Sequence, residues 1–167
     1  MAFTVEDGTV IAGANSYVTV AYADTYHSDR GATSWADLTT EQKQAALIKA
    51  TDFIEQQYNG RWIGYLVELD QPLSWPRTYN DPYFYGVNDI SGEVPVAVQQ
   101  AVCILALESL SSDLNPTQGR ATKREKVDVV EVEYSDYAKL GSTRPAIDGL
   151  LRKLLNSSSV NARAIRV

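Results

Sequence analysis

The spacing of apolar and polar positions divides the chain into an extended start, four helical stretches, and a long segment that follows neither period. Phe3-Thr4-Val5 and Thr9-Val10-Ile11 flank Glu6-Asp7-Gly8, and Asp-Gly between two β-prone runs predicts a hairpin. Gly13 to Ser16 breaks that pattern. A first helix is expected from about Val20 to Arg30, capped by Thr19 and stopped by Gly31. In the second helix Leu47, Ala50, Ile54 and Tyr58 recur at helical spacing. Thr39 and Gln42 have the spacing of a capping box, Glu41 suits the positive end of the helix dipole, and Asn59-Gly60 ends the run. A third helix starts near Pro95 and reaches about Leu110. Its middle, Ala101 to Leu107, is apolar all round, as in a helix buried on every side. The last helix is expected from about Pro145 to Leu155, with Ile147, Leu150, Leu151, Leu154 and Leu155 opposite Asp148, Arg152 and Lys153.

Between the second and third helices, Arg61 to Glu93 mixes Trp62, Tyr65, Trp75, Tyr79, Tyr83, Phe84 and Tyr85 with Pro72, Pro76, Pro82 and several glycines. Prolines at this density preclude a long helix, and so many rings are costly to leave in water. A loop folded onto the body is expected, with some rings available to a neighbouring subunit. Asp113 to Lys126 reads as a polar loop. Val127 to Tyr134 alternates like a strand, but its phase slips between Val129 and Val130, which predicts a bulge or bend. After Asn156 nothing builds a core. The fold class expected is mainly α: a compact bundle of about four helices with a short β-hairpin or strand element and a long aromatic-rich loop. Residues 1–155 form its single domain, and residues 156–167 form an extension that orders on partner binding.

Composition sharpens this picture. A chain of 167 residues, 44% apolar and 22% charged, is long enough for one self-sufficient core. No apolar run approaches the ~20 residues needed to span a bilayer, and the first residues have no signal-peptide pattern. Cys103 is the only cysteine, which excludes an internal disulfide. The net charge of −6 argues against a general nucleic-acid binder. The charge is unevenly spread, however: from Ala138 onward six basic residues face one acid. Such asymmetry suits an end that meets its own partner.

Candidate chemistry is sparse. His27, the only histidine, lies late in the first helix, where capping or surface placement outweighs a role as a base. Cys103 falls in the most apolar stretch, where a thiol is inert. Asn88, Asp89 and Glu93 do not match a calcium loop, and the carboxylates Asp128, Glu131, Glu133 and Asp136 read as a solvated face. No phosphate-cradling glycine motif or nucleophile elbow occurs. The expectation is a protein that is not an enzyme and has no metal or cofactor. For nucleic acid, Arg120, Lys123, Arg124 and Lys126 form the best basic stretch, with the aromatic loop as a source of stacking rings.

Seven stretches, in order along most of the chain, resemble a family of small phage proteins. They are Ala14 to Val20, Tyr26 to Gly31 with Trp35 following, Lys49 to Ile54, Leu73-Ser74-Trp75-Pro76-Arg77, Val94 to Val98, Lys123-Arg124-Glu125-Lys126-Val127 leading into Val132 to Tyr134, and Arg144 to Leu151. Such proteins are labelled DnaT-like single-stranded-DNA-binding proteins, and they also look like head-tail connectors of tailed phages. Where relatives carry Glu, this chain has Tyr22, which weakens only the start of the first helix.

The connector likeness, favoured by the helical body and acidic total, implies a structural virion protein at the neck. This head-tail adaptor would form a ring of about twelve copies on the portal. A distal tail or stopper protein would lie beyond the ring, and packaged double-stranded DNA would pass through its lumen without sequence-specific contact or membrane. On that reading Val160, Arg163, Ala164, Ile165, Arg166 and Val167 dock on the portal. Arg120, Lys123, Arg124 and Lys126 then line the channel or a subunit interface. The alternative is single-stranded-DNA binding in phage replication, in which Trp75 and Tyr83 to Tyr85 stack on bases.

Overall fold

The computed structural model describes residues 2–78, 92–116 and 144–156, together with the backbone of 124–127 and 130–133. Helices α1 (Val20–Ser28), α2 (Thr33–Ala36), α3 (Thr40–Tyr58), α4 (Val96–Glu108) and α5 (Pro145–Leu151) make up most of it. A 3-10 turn, Arg152–Leu154, follows α5. Two small antiparallel hairpins complete the order: β1 (Tyr65–Leu66) with β2 (Arg77–Thr78), and β3 (Arg124–Val127) with β4 (Val130–Glu133). The mainly helical class expected from the sequence is the one observed.

Helices α3 and α4 pack against each other as the spine, α1 lies across both, and α5 closes on α4. The apolar line read from the sequence is the buried line of α3: Leu47, Ala50, Ile54 and Tyr58, joined by Ala46, Thr51 and Phe53. Both halves of the capping box are present: Thr39 Oγ1 accepts the Gln42 N–H at 3.3 Å, and Gln42 Oε1 accepts the Thr39 N–H at 2.9 Å. Thr39 thereby fixes where α3 begins. In α1, Thr19 accepts the Tyr22 N–H at 3.1 Å, and Gly31, at φ 67°, turns the chain away as expected. α4 buries Val98, Ala101, Val102, Cys103, Leu105 and Ala106, so its apolar middle is indeed central. Fully burying such side chains stabilises by about 1.5–3 kcal/mol each.

Four expectations are corrected. The N-terminal hairpin does not form. Glu6 is buried instead, and its carboxylate accepts the N–H groups of Gly8 at 2.8 Å, Val10 at 3.0 Å and Ile11 at 2.8 Å. Those donors are therefore committed to one side chain and not to a cross-strand ladder. Gly8, at φ 107°, lies so close to Gly92 that an added Cβ would sit 2.1 Å from the Gly92 carbonyl oxygen. That contact ties the N-terminal loop to the approach of α4. Second, the phase slip near Val129 is not a bulge within one strand. Val127 pairs with Val130, so the chain reverses there, and Arg124 stands opposite Glu133 and Lys126 opposite Glu131. Third, the short helix α2 was not expected at all. Fourth, the last helix gives way to a 3-10 turn at Arg152.

Candidate nucleic-acid interface

The aromatic-rich segment is anchored by a buried polar knot. Tyr17 O–H donates to Glu55 on α3, the Trp75 N–H donates to Tyr17 Oη at 3.2 Å, and Ser74 donates through both N–H and O–H to Glu55 Oε2 at 3.1 and 2.6 Å. Burial, together with the Glu55 carboxylate, pushes the Tyr17 hydroxyl well above its ordinary range, so it stays a donor. Trp75 precedes a cis proline, Pro76, and is 0% exposed, its ring meeting Trp62 edge-on at 5.6 Å. Trp75 is thus core, and the expectation that it stacks on bases is overturned. Tyr83, Phe84 and Tyr85 lie outside the described residues.

Arg77 is equally committed. Its guanidinium donates to the carbonyls of Ile63 at 2.8 Å, Ser74 at 3.3 Å and Gly64 at 2.7 Å, pinning the β1–β2 hairpin to the body. Gln71 adds a second brace, accepting from Val67 and Glu68 N–H and donating to the Leu73 and Pro76 carbonyls. What this frame presents outward is Tyr65, 80% exposed, and a tip on which Leu69 stands between the exposed acids Glu68 and Asp70. Arg77 and Gln71 make Tyr65 a ring on a rigid support.

The cations sort by partner. Lys43 pairs with Asp24 at 2.9 Å, and Arg144 pairs with Glu108 at 3.0 Å while lying over the Phe53 ring. Arg30 lies over Tyr26, 3.6 Å from the ring centre, and donates to that residue's carbonyl. Arg61, Arg152 and Lys153 are exposed and have no acidic partner among the described residues, as is also true of Arg30 and of Lys49 on α3. Two backbone hydrogen bonds join the segments that carry Arg61 and Arg152–Lys153, from Ile63 N–H to the Leu154 carbonyl at 3.0 Å and from Asn156 N–H to the Arg61 carbonyl at 2.7 Å. The Trp62–Leu155 bridge lies between them. Arg61 also rests against the Tyr58 ring, whose hydroxyl donates to Asp148 at 2.8 Å. Burial first, then that carboxylate, raises the Tyr58 hydroxyl above its usual range. Tyr65 stands two residues beyond Ile63, at the start of β1, four residues after Arg61.

Sequence reasoning did not find this patch, because Arg61 and Arg152 are far apart along the chain. The basic residues it did single out lie elsewhere. Arg120, Lys123, Val160, Arg163, Ala164, Ile165, Arg166 and Val167 are outside the described residues, while Arg124 and Lys126 are placed only by the backbone of β3. His27 is not at a solvent-facing helix end: it is buried against Trp35, ring centres 4.6 Å apart. Cys103 is buried, and desolvation pushes its thiol up to about 12. Among the described residues no group of His, Cys, Asp and Glu gathers as metal ligands would.

Taken together, these features define a small helical domain that carries exposed cations, three of them with an exposed aromatic ring near the edge where the Arg61 and Leu154 segments meet. The chain belongs to the family described as "Putative DnaT-like ssDNA binding protein", whose model matches residues 1–167. No curated protein and no solved structure matches the chain. The family match overturns the head-tail adaptor reading and the virion and connector roles attached to it, and favours the single-stranded-DNA alternative. The resemblance covered the right family, but the weight was placed on the wrong one of its two descriptions. The acidic total that argued against DNA is an average over the chain and does not describe how its cations are placed.

Proposed function

We propose that this protein binds single-stranded DNA through Arg61, Arg152 and Lys153, with Tyr65 as the ring on which a base stacks. The observation that carries this reading is that the segments bearing Arg61 and Arg152–Lys153, exposed cations without acidic partners among the described residues, are joined by backbone hydrogen bonds close in the chain to an exposed tyrosine, in a chain whose family is described by single-stranded-DNA binding. Unpaired cations meet phosphates without first breaking an ion pair, and base–aromatic stacking is tolerant of sequence. The role is binding, with no chemistry performed on the strand.

Oligonucleotide binding measured against salt tests this. About three phosphate contacts give a slope of log affinity on log salt near −2. Replacing Arg61, Arg152 and Lys153 together by Ala removes most of that slope, and Tyr65→Ala lowers affinity by roughly 5- to 100-fold without changing it. Unchanged affinity and slope in both variants place DNA binding elsewhere or nowhere on this chain.

A further inference from the structure

A concavity lies at the opposite end of α3. The end of α1, the Gly31–Thr33 turn, α2 and the first turn of α3 border an open pocket of about 410 Å3, lined by Asp24, His27, Ser28, Thr33, Trp35 and Lys43 among others. That volume falls within the ~300–1,000 Å3 of small-molecule sites. Its polar groups are held in place and incompletely used. Asp24 Oδ1 takes both the Trp35 Nε1–H at 2.8 Å and Lys43 Nζ at 2.9 Å, which leaves Oδ2 free to accept. The Lys43 ammonium, with three N–H donors, keeps spare ones beside it. The Ser28 and Thr33 hydroxyls donate to no described residue. His27 is 2% exposed, and its Nε2 is buried with no partner among the described residues.

A fixed donor next to a fixed acceptor, over a floor of Trp35 and His27, suits a flat ligand whose edge offers the reverse pattern. The Watson–Crick edge of an unstacked base does so, and proteins that hold such a base read that edge. We infer that this cavity receives a single nucleobase, its edge on Asp24 and Lys43. The inference rests on the single-stranded-DNA reading above and adds a base site to it. The two sites are separated by most of the 19 residues of α3. At about 1.5 Å per residue the separation exceeds 20 Å, so one strand must run along the helix to engage both.

Free deoxyguanosine and deoxycytidine, which lack phosphate, isolate this site from the basic patch. The expected result is weak, salt-insensitive binding that shifts backbone resonances of Asp24, Thr33 and Ala36 in a nuclear magnetic resonance titration of the full chain. Ala36→Leu, which fills the cavity from an exposed helix position, weakens it at least tenfold, as does Asp24→Asn. The Arg61, Arg152 and Lys153 replacements leave it unchanged. If neither nucleoside shifts these resonances while an oligonucleotide still binds through the basic patch, the base site is wrong and the DNA reading stands. Nucleoside binding that maps elsewhere on the protein also overturns the inference. If no oligonucleotide binds either, both fall together.

Discussion

At the start of α3, Lys43 is matched by Asp24, which also accepts from the Trp35 indole, so charge there is spent on holding α1, α2 and α3 together. At the far end, Arg61, Arg152 and Lys153 stand exposed on a base of buried rings, and the structure draws on them hardly at all. The same kind of side chain is architecture in one place and available surface in the other. Its partner decides which, and total charge does not. A net charge of −6 describes neither end.

The contrast can be broken from either side. The largest effect is expected beneath the patch: Trp75→Ala removes a fully buried ring and should lower unfolding free energy by about 3–5 kcal/mol, read from urea midpoints. A loss of DNA affinity with unchanged stability would instead return Trp75 to the surface. Next, Asp24→Ala leaves the Trp35 N–H and the Lys43 ammonium without their acceptor. Discounted for the partial exposure of Asp24, the cost should be about 1–2 kcal/mol. Thr39→Ala should cost about 1 kcal/mol, because it uncaps the same end of α3 without touching the ion pair. Arg61→Ala, Arg152→Ala and Lys153→Ala should each change stability by less than about 0.5 kcal/mol, the ordinary effect at a surface position. A large loss from any of them would make the far end architectural too.

The finest test is pH. Burial, the leading cause, holds the His27 imidazole below its ordinary range, so the unfolded chain takes up a proton before the folded one does. This contribution to stability is complete above about pH 6.5 and declines as pH falls from there towards the lower folded value. Urea midpoints compared above and below that point should show the decline in the wild type. His27→Gln should lack that component.

How much of this could be read in the sequence depended on how local the deciding interaction was. The start of α3 was legible because Thr39 and Gln42 satisfy each other across one turn, and α1 because Thr19 caps it alone. α2 was missed because its four residues are too few to show a period and Ala32, ahead of it, makes no side-chain cap. Glu6 beside Asp7-Gly8 read as a hairpin turn. Nothing local says that this carboxylate turns inward and gathers three N–H groups. Trp75 has the same neighbours in sequence whether it faces water or core; Glu55 and Tyr17, both distant, decide the matter. The basic patch was least legible of all, since it depends on backbone hydrogen bonds between the Arg61–Ile63 and Leu154–Asn156 segments, far apart in the chain.

Cys103 carries a practical consequence. The only thiol in the chain lies fully inside α4, and desolvation keeps it protonated and inert. A single cysteine introduced at Leu69, which is 98% exposed at the rigidly braced tip, would therefore be the one reactive handle on the molecule. Maleimide dyes or spin labels would report from beside Tyr65 without any need to remove the native residue.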